Sequence, residues 1–124
     1  MSKKILLVDD SATMLMSLSS TLQMSGFTVE TATDGASALE RLAAGLKPDL
    51  IITDINMPRM DGLELIREAR RLVRFTPILA LTTESQQNKR DEAKRNGATG
   101  WLVKPVGGND LLKVIRQLLP AAHA

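Results

Sequence analysis

Residues 3–11 read Lys-Lys-Ile-Leu-Leu-Val-Asp-Asp-Ser. Ile5 to Val8 is an unbroken apolar run of strand length, and its lack of alternation describes a strand buried on both faces. Two carboxylates, Asp9 and Asp10, follow at once. Further strand-length segments follow at Leu50–Thr53, Ile78–Leu81 and Trp101–Val103, with a weaker strand at Thr28–Ala32. A helical pattern separates each from the next. Leu15, Leu18 and Leu22 form the inward face of a first helix that stops near Gly26. A second runs from Ala36 to Ala44, with Ala38, Leu39 and Leu42 inward and Gly45 as its stop. After Pro58 and Gly62, a third uses Leu65, Ile66, Ala69 and Leu72. A polar helix extends from about Ser85 to Asn96 and ends at Gly97. Asn109 is the expected N-cap of a last helix carrying Leu111, Leu112, Ile115, Leu118 and Leu119.

Continuous apolar strands alternating with helices predict a parallel sheet covered on both faces. Right-handed crossovers restrict the topology to a doubly wound α/β fold of five strands and five helices. The 124 residues fit a single domain over 1–124, with 120–124 as a short C-terminal tail.

Composition narrows the chemistry. There is no cysteine, which excludes disulfides, thiolate nucleophiles and Cys-ligated zinc. The one histidine, His123, stands next to last, so a histidine metal site or a Ser/His/Asp triad is excluded. A metal must then be held by oxygen, which selects a hard cation. Aromatic residues number three, Phe27, Phe75 and Trp101, too few to stack nucleic-acid bases, and the net charge is only +2. The cluster Arg67, Arg70, Arg71 and Arg74 reads as the solvated face of a helix. The amino terminus has no signal-peptide pattern, and no apolar run approaches bilayer length, so the expectation is a cytoplasmic protein without membrane contact.

In doubly wound folds, ligands bind beyond the carboxyl ends of the strands. Those ends carry Asp9 and Asp10, then Asp54, then Thr82 and Thr83, then Lys104 and Pro105. Alone, each has an ordinary explanation: a turn or cap aspartate, a β-prone threonine, a solvated lysine. Together they bring three carboxylates, a lysine and a hydroxyl to one rim. Two carboxylates ~4–5 Å apart repel by roughly 3–4 kcal/mol at an effective dielectric near 20. A divalent cation relieves that repulsion, and oxygen ligation with retained waters suits Mg²⁺. Lysine and metal together can offset the charge of a phosphoryl group, and a carboxylate can attack it to form an acyl phosphate. Asp54, in the middle of the cluster, is the candidate nucleophile.

Leu7-Val8-Asp9-Asp10-Ser11, Asp54-Ile55-Asn56-Met57-Pro58-Arg59-Met60-Asp61-Gly62, Leu81-Thr82 and Lys104-Pro105 resemble the signature of response-regulator receiver domains. The likeness covers nearly the whole chain, with 44 residues from Asp10 to Asp54, 28 on to Thr82 and 22 on to Lys104. It is nearest to the stand-alone, CheY-like chemotaxis type, which implies a flavodoxin-like sheet of order 2-1-3-4-5.

The resemblance also implies roles. Asp54 accepts a phosphoryl group from a phosphohistidine on a sensor kinase. Asp10, Asp54 and the backbone carbonyl of Asn56 bind Mg²⁺, with Asp9 helping through water. Lys104 pairs with the phosphoryl group, while the Thr82 hydroxyl and the Thr83 backbone N–H donate to it. Pro105 follows a cis peptide. Phosphorylation shifts an existing equilibrium: Thr82 moves toward the phosphoryl group and an aromatic residue on the fifth strand rotates inward. Trp101 holds that position, where tyrosine or phenylalanine is usual. It is either this switch residue or simply a cover for apolar surface. Asn56 and Glu84 occupy positions that tune water access to the acyl phosphate, which implies a phosphorylated state lasting seconds to minutes. Thr83 replaces a commoner small residue, and Val106-Gly107-Gly108 departs from the family after Lys104-Pro105.

Three functional classes remain to be weighed. A signalling switch has no chemistry beyond its own phosphorylation and dephosphorylation. An aspartate-nucleophile phosphatase needs a cap and a substrate pocket for which little chain is left. A flavin carrier needs stacking aromatics that are scarce here. The expectation is a monomeric, non-enzymatic response regulator that binds no nucleic acid and lacks an output domain of its own. Its expected partners are a chemotaxis-type sensor histidine kinase and either a flagellar motor switch component or a phosphotransfer protein; a phosphate sink is the alternative role. Asp9, Asp10, Asp54 and Lys104 together carry −2, which leaves +4 on the remainder of the chain.

Overall fold

The computed structural model describes residues 3–83 and 88–119. Its elements alternate strictly: β1 (Lys4–Val8), α1 (Ala12–Met24), β2 (Thr28–Ala32), α2 (Gly35–Ala43), β3 (Leu50–Asp54), α3 (Gly62–Leu72), β4 (Ile78–Thr82), α4 (Arg90–Asn96), β5 (Gly100–Val103) and α5 (Gly108–Leu118). The five strands form one sheet of order β2-β1-β3-β4-β5, and every neighbouring pair is parallel. The expected doubly wound α/β fold is therefore present.

The central strands β1, β3 and β4 are buried on both faces because each face has its own helical layer. Successive side chains point to opposite sides of a strand. Ile5, Leu7, Leu50, Ile52, Leu79 and Leu81 meet Leu15, Leu18 and Leu22 of α1 and Leu111 and Ile115 of α5. Leu6, Val8, Ile51, Ile78 and Ala80 meet α2, α3 and α4 through Ala38, Leu42, Ile66, Ala69 and Ala93. Burying each large aliphatic side chain contributes about 1.5–3 kcal/mol.

Short-range chemistry starts the helices. Ser11, Asp34 and Asp61 cap α1, α2 and α3 by accepting from the backbone N–H of Met14, Ser37 and Glu64. α5 departs from expectation. Its N-cap is Gly107, which is extended and whose carbonyl accepts from Leu111 N at 3.0 Å, so Asn109 lies inside the first turn. Asn88 and Lys89 form a 3₁₀ turn before α4 begins at Arg90. The expected helix start at Ser85 lies outside the described residues, as does the tail 120–124. Leu72 is 48 % exposed, because it is the last residue of α3, beyond the stripe that Leu65, Ile66 and Ala69 bury.

The arginine cluster also needs correction. Arg67 and Arg71 are exposed, but Arg70 folds back over the end of α3. Its Nη1 donates to the carbonyls of Val73, Arg74 and Thr76 at 3.0, 3.0 and 2.7 Å, and its Nη2 donates to Gly97 at 2.6 Å. Val73 and Gly97 end α3 and α4, where carbonyls lack an intrahelical donor, and the guanidinium fork serves these two together with the loop carbonyls of Arg74 and Thr76.

Candidate functional site

The carboxyl ends of β1, β3, β4 and β5 converge on one rim, as the topology requires. Asp9 is fully buried, Asp54 is buried at 5 % exposure, and Asp10 is exposed. One carboxylate oxygen from each lies within 4.8 Å of the others. Lys104 Nζ bridges the two buried acids, 3.2 Å from Asp9 Oδ2 and 3.1 Å from Asp54 Oδ2.

Local bonds fix these groups. Asp54 Oδ1 accepts from Ile55 N at 2.8 Å, which leaves Oδ2 toward Lys104. Asp9 Oδ1 accepts from Ser11 N at 2.9 Å, while Asp9 N donates to the Ala32 carbonyl. Lys104 N donates to the Thr82 carbonyl, tying β5 to β4 directly beneath the lysine. The Lys104–Pro105 peptide is cis, as the resemblance implies. Gly62 closes the β3–α3 loop: its N–H donates to the Ile55 carbonyl at 2.7 Å, and a Cβ there would stand 2.1 Å from the Asp54 carbonyl oxygen. Only glycine permits that approach.

The electrostatics are unbalanced. Burial pushes the Asp54 carboxyl above its ordinary value, and the attraction of Lys104 only partly opposes this. Burial alone depresses Lys104, but the charges of Asp54 and Asp9 outweigh it and hold the ammonium above its usual value. Within 4.8 Å and at an effective dielectric near 20, the buried Asp9 and Asp54 carboxylates repel by roughly 3.5 kcal/mol, and exposed Asp10 adds a weaker, water-screened repulsion. One lysine cannot neutralise three acids. The donor set is oxygen only, compact, and open to water on the Asp10 side, so it fits Mg²⁺.

The Thr82 hydroxyl is fully buried and Oγ1 has no hydrogen-bond partner among the described residues. Leaving such a group unpaired costs about 1–3 kcal/mol. Thr83 lies just beyond it, exposed. Trp101 is half-buried and aligns with Ala80, two residues below the Thr82–Val103 pair, so Thr82 and Trp101 share the α4 side of the sheet. Trp101 packs on that core and borders a hollow of about 190 Å³ with Arg90, Lys94 and Thr99. Asn56 is exposed in the β3–α3 loop, two residues past Asp54. Glu84 lies outside the described residues.

Asp9, Asp10, Asp54 and Lys104 are thus brought together, with Thr82 at the adjoining strand end. The sequence reading missed Asp34 and Arg59. Asp34 caps α2 and also pairs with Arg59 across 3.2 Å, linking the α2 start to the β3–α3 loop. The Asp34-Gly35 step signals a helix start, but nothing local signals the partner 25 residues on.

The response regulator receiver domain family matches residues 5–116. Response regulator MprA of Mycobacterium ulcerans is 41 % identical over 119 residues, which is 96 % of this chain and 51 % of that protein. The chain therefore spans about half the length of the curated relatives it matches. Among solved structures, chemotaxis response regulator CheY4 of Vibrio cholerae is 46 % identical with a TM-score of 0.89, covering 96 % of this chain and 100 % of that one. The receiver domain of sensor histidine kinase PA1611 from Pseudomonas aeruginosa, solved with a magnesium ion coordinated in its active-site cleft, is 27 % identical with a TM-score of 0.88, over 97 % and 99 % of the two chains.

Proposed function

The chain belongs to the response regulator receiver family, and on that premise we propose that Asp54 accepts a phosphoryl group from the phosphohistidine of a sensor histidine kinase. An Asp54 oxygen attacks phosphorus, the P–N bond breaks, and the donor imidazole leaves with the bonding pair. Lys104 offsets the charge on the phosphoryl oxygens, and Thr82 Oγ1, unpaired among the described residues, donates to one of them. Asp9, Asp10, Asp54 and the Asn56 carbonyl hold Mg²⁺, which supplies further charge neutralisation. The Thr83 backbone N–H adds a donor. The observation that carries this reading is the compact acid cluster with Lys104 bridging its two buried members.

Phosphorylation then biases a two-state equilibrium in which Thr82 and Trp101 move together, which their common face supports. Signalling is by altered protein contacts, in the cytoplasm, with no chemistry beyond the chain's own phosphorylation and dephosphorylation. Asn56 and Glu84 set a lifetime of seconds to minutes. The setting is chemotaxis, with a motor switch component or a phosphotransfer protein as partner. The 46 % identity to Vibrio cholerae CheY4, whose whole chain is matched, supports that choice.

Acetyl phosphate with Mg²⁺ tests the site. The wild type takes up one phosphoryl group per chain, read by intact mass, and Asp54→Asn takes up none. Labelling of the variant overturns the assignment. Release of many phosphates per chain from phosphorylated metabolites overturns the non-enzymatic reading.

A further inference from the structure

The loop between β3 and α3 carries Asn56, and its ends are closed by the Ile55–Gly62 bond. Its middle rests on the start of α2. Gly35 N donates to the Met60 carbonyl at 3.2 Å, and a Cβ on Gly35 would stand 2.4 Å from that oxygen, so a side chain there would push the two backbones apart. Beside this contact, Arg59 adopts a left-handed backbone with φ +68°, which a residue bearing a Cβ enters only at a cost. Glycine or asparagine would fill that position more easily. Arginine has a use there because its Nη1 reaches Asp34 Oδ2 at 3.2 Å. Asp34 cannot turn away, since it is buried and its Oδ1 accepts from Ser37 N at 2.7 Å.

We propose that the Asp34–Arg59 pair positions the β3–α3 loop, holding Asn56 in register with Asp54. Both are positioning residues, since the pair acts through the loop backbone. The Arg59 side chain is 58 % exposed, and pairs of that kind contribute little to global stability. Its effect is therefore local order of the loop. The part of the claim that concerns Mg²⁺ rests on the phosphoacceptor reading, whereas the ordering of the loop does not.

Two measurements test it on Arg59→Ala, Arg59→Lys, Asp34→Asn and the Asp34→Asn/Arg59→Ala double variant. Asparagine keeps the α2 cap while removing the charge. In metal-free protein, amide exchange at Gly35 and Met60 speeds up in Arg59→Ala and Asp34→Asn, with little change in the unfolding midpoint. Titration calorimetry with Mg²⁺ shows affinity falling roughly tenfold in the same variants, at the low end of what groups behind a metal's direct ligands carry. The double variant is no weaker than either single change, and Arg59→Lys recovers most of the loss. Unchanged exchange and Mg²⁺ affinity within about twofold of wild type overturn the proposal, as do additive losses in the double variant. Wild type that binds no Mg²⁺ overturns the phosphoacceptor reading, and exchange at Gly35 then decides the loop claim on its own.

Discussion

The two ends of the sheet handle charge in opposite ways. At the amino ends of β4 and β5, Arg70 is partly buried, and its guanidinium finds four carbonyls. At the carboxyl ends, three carboxylates cluster beside one lysine that bridges two of them, and a buried hydroxyl has no partner among the described residues. Both ends hold ionisable groups taken from water. Only the amino end is complete by itself. The contrast separates a charge kept for architecture, whose partners come from the same chain, from charges left unbalanced for a ligand.

Single substitutions, followed by urea unfolding of metal-free protein, probe the two ends separately. Lys104→Met has the largest effect. It leaves Asp9 and Asp54 buried together, with an expected loss of about 3 kcal/mol. Because the folded state raises the Lys104 pKa, its stabilisation is fully present below 10.5 and is lost as pH rises through the folded value. The difference from wild type therefore shrinks in alkali, and a constant difference would break the account of Lys104.

Arg70→Ala comes next, with an expected loss of about 2–3 kcal/mol from the partly buried carbonyls it abandons. Phosphoryl uptake at the other end is unchanged. Arg70→Lys recovers less than half the stability, since an ammonium cannot fork to the same oxygens. Asp54→Asn has the opposite sign. The raised Asp54 pKa means that its charged form costs the metal-free fold at neutral pH. The variant is expected to be more stable than wild type at pH 7. As pH falls through the raised folded value toward 3.8, wild-type Asp54 protonates and the advantage disappears. A smaller gain, under about 1 kcal/mol, is expected for Asp10→Asn because Asp10 is exposed. Asp10→Asn also weakens Mg²⁺ binding in calorimetry. Loss of stability in either aspartate variant would erase the distinction between the two ends.

The carboxyl end was legible because its logic is topological. Apolar runs such as Ile5–Val8 and Leu50–Thr53 declare buried parallel strands, and a parallel sheet must gather their ends. Asp9, Asp54, Thr82 and Lys104 could therefore be placed on one rim without knowing any contact. The amino end was not legible. Arg70 sits among other arginines, and only the return of the chain at Val73–Thr76 and the end of α4 at Gly97 distinguish it from its exposed neighbours. Arg59 and Asp34 were hidden for the same reason, since their pairing depends on how two loops lie together. Asn109 misled because a good capping side chain is only a local preference. Here the chain after Pro105 lets Gly107 start the helix two residues sooner.

If the carboxyl end is built incomplete and a hard cation completes it, Mg²⁺ must stabilise the fold through that end. Thermal unfolding of wild type, Asp54→Asn and Arg70→Ala with and without Mg²⁺ tests it most directly. A ligand that binds only the folded state raises stability by about 2.7 kcal/mol at 100 times its dissociation constant. Mg²⁺ should raise the midpoint of wild type and Arg70→Ala alike and move Asp54→Asn far less. Equal shifts in all three proteins, or no shift in wild type, would contradict the account.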